Sequence, residues 1–361
     1  SDVYKRQEVK VMIKLHKRRN ICAGLFLTGT LILSALSACG RSGTENTPVF
    51  DDIPEAQKLT VYTAHKAEVY RPIIQEFEES TGIWVEVRAG GTTELLEDLQ
   101  DMQNASKHEV DIMFGGGIEM LEAYKDCFQP YQSPLEAKLD PIYLSPDHYW
   151  TPFTELPIVF IYNSKIVQPE SAPHSWQDFL DGSWKGSISF ADPSMSGTSY
   201  TILETMKDAT QLPEEAILTR FCDDLDGHLA KGSGEVLTEV ANGDRLVGIT
   251  LEESALKEIA RGSDVGISYP TEGTSAVPDG AAIVKNAPHP ENAERFLDFI
   301  LSDPVQRYTI SPLFRRSVRT DLSTNDKTVG LRILAFDIEE ASERQTKVLQ
   351  DFWQIWEARY A

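Results

Sequence analysis

Cysteine is scarce in this chain. Of the four, Cys22 and Cys39 belong to an N-terminal leader, while Cys127 and Cys222 lie far apart without metal-ligand spacing, so two unpaired, buried thiols are expected. Positive charge is scarce as well: 34 Lys and Arg stand against 56 Asp and Glu, for a formal charge of -22. Residues 1–38 hold seven of the basic residues and two of the acidic ones, which leaves -27 on the rest. That balance excludes a nucleic-acid partner, because phosphate backbones require a basic footprint. It also obliges any anion site to work locally, through amides and hydroxyls, against the overall field. H-E-x-x-H, the G-x-S-x-G elbow and the P-loop string are absent. Asp224-Leu225-Asp226 begins like a calcium loop, but Leu229 stands where that loop needs glycine. Neither an enzyme nor a bound cofactor is expected.

Hydrophobic content of 41% and charged content of 25% describe a soluble globular protein, and 361 residues exceed one comfortable core. Residues 1–11 fit no export signal, and DVYKRQ resembles a translated adapter end from shotgun sequencing; Met12 is the expected start. Lys14, Lys17, Arg18 and Arg19 then precede an apolar run from Ile21 to Leu36 and the string Leu36-Ser37-Ala38-Cys39. The run is short for a membrane span and ends in small residues, as a cleavable signal does. Leu-Ser-Ala-Cys resembles a bacterial lipobox, which implies a lipid on Cys39. Residues 39–57 read as a flexible tether, and no later segment approaches spanning length.

Beyond the tether, strands alternate with helices. Leu59–Thr63, Ile83–Val87 and Asp111–Phe114 read as strands, each followed by a helical pattern. Such alternation predicts sheets flanked by helices, with ligands gathering where strand ends meet helix starts. Three corners thereby share one rim: Thr63 to His65, Gly90 to Thr93, and Gly115 to Gly117. Each also reads as a plain turn or a structural histidine. Leu156–Tyr162 is a long apolar strand that crosses between lobes, and a second strand-and-helix series follows.

The most informative stretch is Phe190–Thr201, FADPSMSGTSYT. It leads from a strand through Ser196-Gly197-Thr198-Ser199 into a helical pattern whose first acid is Glu204. Other starts carry their own carboxylates, as at Pro213-Glu214-Glu215 and in the capping-box spacing of Ser175 and Asp178. A helix start without acids suits an outside anion. The plainer alternative makes Ser196 or Ser199 an N-cap.

The leader, LTVYTAHKAE, GGTTELLEDL, DIMFGGGIEMLEAYKD, LPIVFIYNSKIV, SWKGSISFADPSMSGTSYT, VGITLEESALK and YPTEGTSAVPDGAAIVKNAPHPENAERFLDFIL together resemble the extracellular solute-binding proteins of ABC importers, over residues 58–310. The resemblance is to the ferric-iron type, a group that includes binders of phosphonates and sugar phosphates. It implies an α/β, two-lobed, periplasmic-binding-protein-like (type II) fold with mixed sheets flanked by helices, a ligand cleft between the lobes and hinge closure. Ferric members carry adjacent tyrosines where this chain has Leu251-Glu252-Glu253-Ser254, so the metal cage is missing while the anion seat is kept. The implied solute is a phosphorylated or phosphonate compound. Ser196, Gly197, Thr198 and Ser199 would hold the oxyanion, and Thr63, His65, Gly91, Thr92 and Gly116 would form the opposite wall. Glu252, with Glu253, would meet hydroxyls or an ammonium, and Thr274 and Ser275 would complete the cleft or shape a turn. Arg315-Arg316 reads as a surface basic patch, with charge pairing at the cleft as the alternative. The expected division is 58–160 and 276–315 for the first lobe, 161–275 for the second, and 316–361 as C-terminal helices packing mainly on the second. The expected partners are a permease and its ATPase, with the chain a monomer held by lipid to the outer face of the cell membrane. Iron with a synergistic anion, or a sensing role beside a membrane receptor, are the alternatives.

Overall fold

Strands buried on both faces read as near-continuous apolar runs, and Lys58–Thr63 (β1) is one of these. Its Leu59 and Val61 enter one core cluster and Tyr62 another, as the two-residue period of a strand requires. The helix Ala67–Thr81 (α1) buries Val69, Ile73, Ile74 and Phe77 on one stripe and stops at Gly82, whose φ of 71° suits a residue without Cβ. The computed structural model describes residues 53–322 and 331–360. The leader, the signal segment, Cys39 and the tether up to residue 52 lie outside the described residues. Pro54–Ala361 forms one compact unit.

After α1 come Trp84–Ala89 (β2), Thr92–Asn104 (α2), Ile112–Gly117 (β3), Ile118–Ala123 (α3), Phe128–Gln129 (β4) and Thr151–Glu155 (β5). The chain next forms Ile158–Asn163 (β6), Ile188–Ser189 (β7), Gly197–Thr210 (α4), Glu214–Leu225 (α5), Ser233–Asn242 (α6), Val247–Leu251 (β8), Glu252–Ala260 (α7) and Val265–Ser268 (β9). Asp279–Val284 (β10), Pro290–Ile300 (α8), Asp303–Ile310 (α9), Arg316–Ser317 (β11) and Ile338–Tyr360 (α10) complete the described elements.

Two mixed sheets result. The larger has seven strands in the order β11-β5-β10-β3-β1-β2, with β4 also paired to β10; the smaller runs β7-β8-β6-β9. In the larger sheet β1 is parallel to β2 and β3, so Thr63, Ala89 and Phe114 end side by side on one rim. β10 returns antiparallel between β3 and β5. Each sheet has a core on both faces. Phe77, Phe114, Phe153 and Phe296 cluster on one side of the larger sheet, and Leu95, Leu99, Met113 and Leu121 on the other. Phe160, Trp176, Phe190 and Phe221 lie on one side of the smaller sheet, and Val159, Ile161 and Val240 on the other.

The chain passes from strand to strand between the sheets through Leu156-Pro157 and through residues 269–278, and these two crossings are tied together. The Ile158 amide donates to the Ser275 carbonyl (3.1 Å), and the Thr274 hydroxyl donates to the Ile158 carbonyl (2.8 Å). α10 packs against α3 beside the larger sheet and against α5 beside the smaller one, where Val348 and Phe352 join the core. Cys127 and Cys222 are free and buried, and burial pushes the Cys222 thiol up to about 12. Among the described residues no helix is long and apolar enough to cross a membrane.

Candidate functional site

Between the sheets lies a cleft of about 620 Å³. One wall comes from the rim of the larger sheet, with His65 after β1, Gly91 and Thr92 at the start of α2, and Gly116, Gly117 and Glu119 at the start of α3. Ser196, Gly197, Thr198 and Thr201 of α4 form the facing wall, and Arg315 and Asp279 also line the space. The long C-terminal helix contributes Gln345, Thr346 and Leu349, a role its sequence periodicity does not announce.

The wall at α4 is chemically distinctive. Ser196 is its N-cap, yet the serine side chain makes no capping bond, and the first turn contains no acid. The Ser199 amide turns back to the Ser196 carbonyl (3.0 Å), which leaves the Gly197 and Thr198 amides as donors that a helix start cannot satisfy internally. α2 differs, because Glu94 stands in its own first turn with Oε2 3.5 Å from the Gly91 amide. Of the two long helices that begin at the cleft, only α4 presents its positive end uncompensated.

Behind the rim sits a buried charge network. Arg315, which the sequence placed on a surface patch, is 8% exposed; it donates through Nη1 to Thr154 Oγ1 (2.9 Å) and pairs with Asp279. Asp279 also accepts from the Thr154 amide (2.9 Å) and hydroxyl (2.6 Å), so its charge is well held. His65 Nδ1 lies 3.6 Å from Asp279 Oδ2, and its ring packs edge-on against Phe114. Burial drives the imidazole down to about 4, so it is neutral at physiological pH. Neither Arg315 Nε nor His65 Nε2 has a hydrogen-bond partner among the described residues.

Glu119 went unnoticed in the sequence. It is 4% exposed, and its carboxylate folds back over Gly117, where a Cβ would come within 2.3 Å of either oxygen. A side chain at that position would therefore push the carboxylate aside. Burial pushes the carboxyl up to about 7. Oε1 lies 3.3 Å from the Thr201 hydroxyl, which also has the Gly197 carbonyl at 3.2 Å, and Oε2 has no partner among the described residues. In sequence Glu119 is an ordinary acid in a first helical turn, and only the approach of α4 encloses it.

Among the residues singled out by sequence, His65, Gly91, Thr92, Gly116, Ser196, Gly197 and Thr198 line the cleft. Five others do not. Thr63 is fully buried and donates to the Phe114 carbonyl (2.7 Å), holding β1 to β3. Ser199 is 2% exposed beneath the first turn of α4. Thr274 and Ser275 belong to the crossing, where Ser275 shares a hydrogen bond with Thr205 (2.6 Å). Glu252 is the clearest correction: Arg316 grips its carboxylate at 2.9 and 3.1 Å, and the Tyr269 hydroxyl donates to it at 2.8 Å. Because Arg316 lies on β11 of the larger sheet and Glu252 opens α7 beside the smaller one, this pair joins the two halves and is not free for a solute. Arg316 is accordingly no part of a surface patch. Glu253 is also buried and pairs with Lys257 at 2.6 Å. Among the described residues, no three His, Cys, Asp or Glu side chains are grouped to hold a metal ion.

Residues 110–313 match the family of bacterial extracellular solute-binding proteins. The chain is 27% identical over 310 residues to iron uptake protein A1 of Synechocystis, covering 82% of this chain and 84% of that one. It is 24% identical over 265 residues to a Salmonella typhi protein whose name assigns it, provisionally, to 2-aminoethylphosphonate binding in the periplasm, covering 72% and 76%. The periplasmic binding protein AfuA of Actinobacillus pleuropneumoniae, solved with fructose-6-phosphate, superposes with a TM-score of 0.74 at 19% identity, over 83% of this chain and 98% of AfuA. The architecture is that of type II periplasmic binding proteins.

Proposed function

Because the chain belongs to the family of bacterial extracellular solute-binding proteins, we propose that it is the capture component of an ABC importer, that it takes a small organic phosphate or phosphonate, and that the halves close on this solute about the two crossings. The observation that carries the choice of solute is the start of α4. Its free Gly197 and Thr198 amides, the uncapped Ser196 hydroxyl and the absence of a first-turn acid offer a seat for an oxyanion. Arg315, buried at the cleft with no partner for its Nε among the described residues, adds a guanidinium to the lining. The donor set argues against bare ferric ion: Leu251 to Ser254 brings no tyrosine, and the carboxylate of Glu252 is committed to Arg316.

On this account the solute's anionic head docks at α4, and the rim of the larger sheet closes over the rest. The lipobox-like Leu36–Cys39 string supports anchoring by lipid on Cys39 outside the cell membrane, where a permease and its ATPase would receive the cargo. A thermal-shift panel of 2-aminoethylphosphonate, glycerol 3-phosphate, inorganic phosphate and ferric citrate tests the choice. A solute that binds only the native state adds about 2.7 kcal/mol of stability at a hundredfold excess over its Kd. A phosphonate or phosphate ester is expected to raise the melting temperature. A response to ferric citrate, with none to the phosphorus compounds, would sink this reading in favour of iron.

A further inference from the structure

The charges lining the cleft do not suit a purely anionic solute. Among the described residues of the lining, three carboxylates, Glu94, Glu119 and Asp279, face one guanidinium, Arg315. Asp279 is neutralised within its own network, and Glu94 serves the start of α2. Among the described residues Glu119 pairs with no cation. Besides its own backbone amide it has the Thr201 hydroxyl, whose one proton serves two acceptors, and Oε2 has no partner among the described residues. A buried acceptor left in this state is costly unless something arrives to satisfy it.

We propose that Glu119 is the specificity-determining residue for the second end of the solute, accepting a hydrogen bond from an ammonium or hydroxyl group that lies away from the anionic head. The inference rests on the anionic-solute reading above and adds to it: the solute carries a donor as well as an oxyanion. The placement fits, because Glu119 stands on α3 of one half, while the oxyanion seat and Thr201 are on α4 of the other. When the halves part, Thr201 withdraws and uncovers the carboxylate. On closure a solute spanning the gap brings its own donor. Gly117 leaves room for the folded-back carboxylate, which a side chain there would displace. Burial also favours a solute that supplies positive charge or a strong donor, because it penalises the carboxylate without one.

The test uses matched pairs that share an oxyanion and differ only in the donor: 2-aminoethylphosphonate against ethylphosphonate, and glycerol 3-phosphate against propyl phosphate. Calorimetric Kd values are measured for the wild type and for Glu119→Gln. The wild type is expected to prefer the donor-bearing member of at least one pair by tenfold or more, and the pair that responds identifies ammonium or hydroxyl. Glu119→Gln is expected to lose most of that preference while binding the donor-free member no more weakly than before. That last result also shows that the variant is folded and that its oxyanion seat is intact. Equal binding of both members by the wild type, or a preference unchanged in Glu119→Gln, overturns the role of Glu119 and leaves the anionic reading standing. If no member of either pair binds the wild type, the anionic reading falls and this inference falls with it.

Discussion

At the scale of single residues, burial separates the side chains that serve the solute from those that serve the frame. Glu119 gives a direct check on its environment. Its carboxyl stands near 7 in the folded chain against an ordinary 4.5, so the folded state holds its proton where the unfolded state has lost it. The sign follows: below pH 4.5 both states are protonated and no penalty exists, and stability is lost as pH rises from 4.5 to 7. The loss is on the order of 3 kcal/mol. Glu155 is raised to about 7 in the same way, while His65, lowered to about 4, adds stability as pH rises toward 6.5, so the total profile is mixed. Comparison of the solute-free wild type with Glu119→Gln cancels the shared contributions. The variant is expected to gain on the wild type by up to about 3 kcal/mol between pH 4.5 and 8 in urea midpoints. A difference that stays flat with pH would show that the carboxylate is not held away from water. Ser196, Gly197 and Thr198 were legible in sequence because a first turn without acids is visible there. Glu119 and Glu252 were not, because each looks like a common helix-opening acid. Their opposite fates depend on Thr201 and Arg316, which only the fold brings to them.

Among the elements, α10 does the most unannounced work. It reaches α3 beside the larger sheet and α5 beside the smaller, places Gln345, Thr346 and Leu349 in the cleft, and buries Phe352 completely. Phe352→Ala is therefore expected to cost roughly 3–5 kcal/mol, as large-to-small changes at full burial do. Urea unfolding measures this, and a loss below about 1 kcal/mol would mean that α10 merely rests on the surface. Several elements were readable from periodicity: β1, α1, α2, β3, β6 and α4 lie close to their sequence-based positions. Those that escaped had reasons to. β5 contains Pro152, which argues against a strand, although its neighbours β10 and β11 hold it within the larger sheet. β4, β7 and β11 are two residues each, too short for any period to register. α9 follows α8 after Leu301-Ser302, so the apolar pattern of one helix runs into the next.

For the whole molecule, the alternation of strand and helix foretold sheets flanked by helices, and the family resemblance implied two lobes with a cleft between them. Its chemistry was only half legible. The oxyanion seat lies within one continuous stretch, whereas the opposing surface is assembled from residues 65, 91, 116, 119, 279, 315 and 345, and no window of sequence contains them together. The overall charge of -22 opposes an anionic solute, so the account requires the local donors at α4 to prevail over the global field. The most direct measurement is a titration of the isotope-labelled chain with 2-aminoethylphosphonate and with glycerol 3-phosphate, following the backbone amides by nuclear magnetic resonance. The expected result is that the Gly197 and Thr198 amide protons move downfield to saturation with one of these compounds. Saturable binding that leaves both amides in place, while signals elsewhere move, would contradict the account.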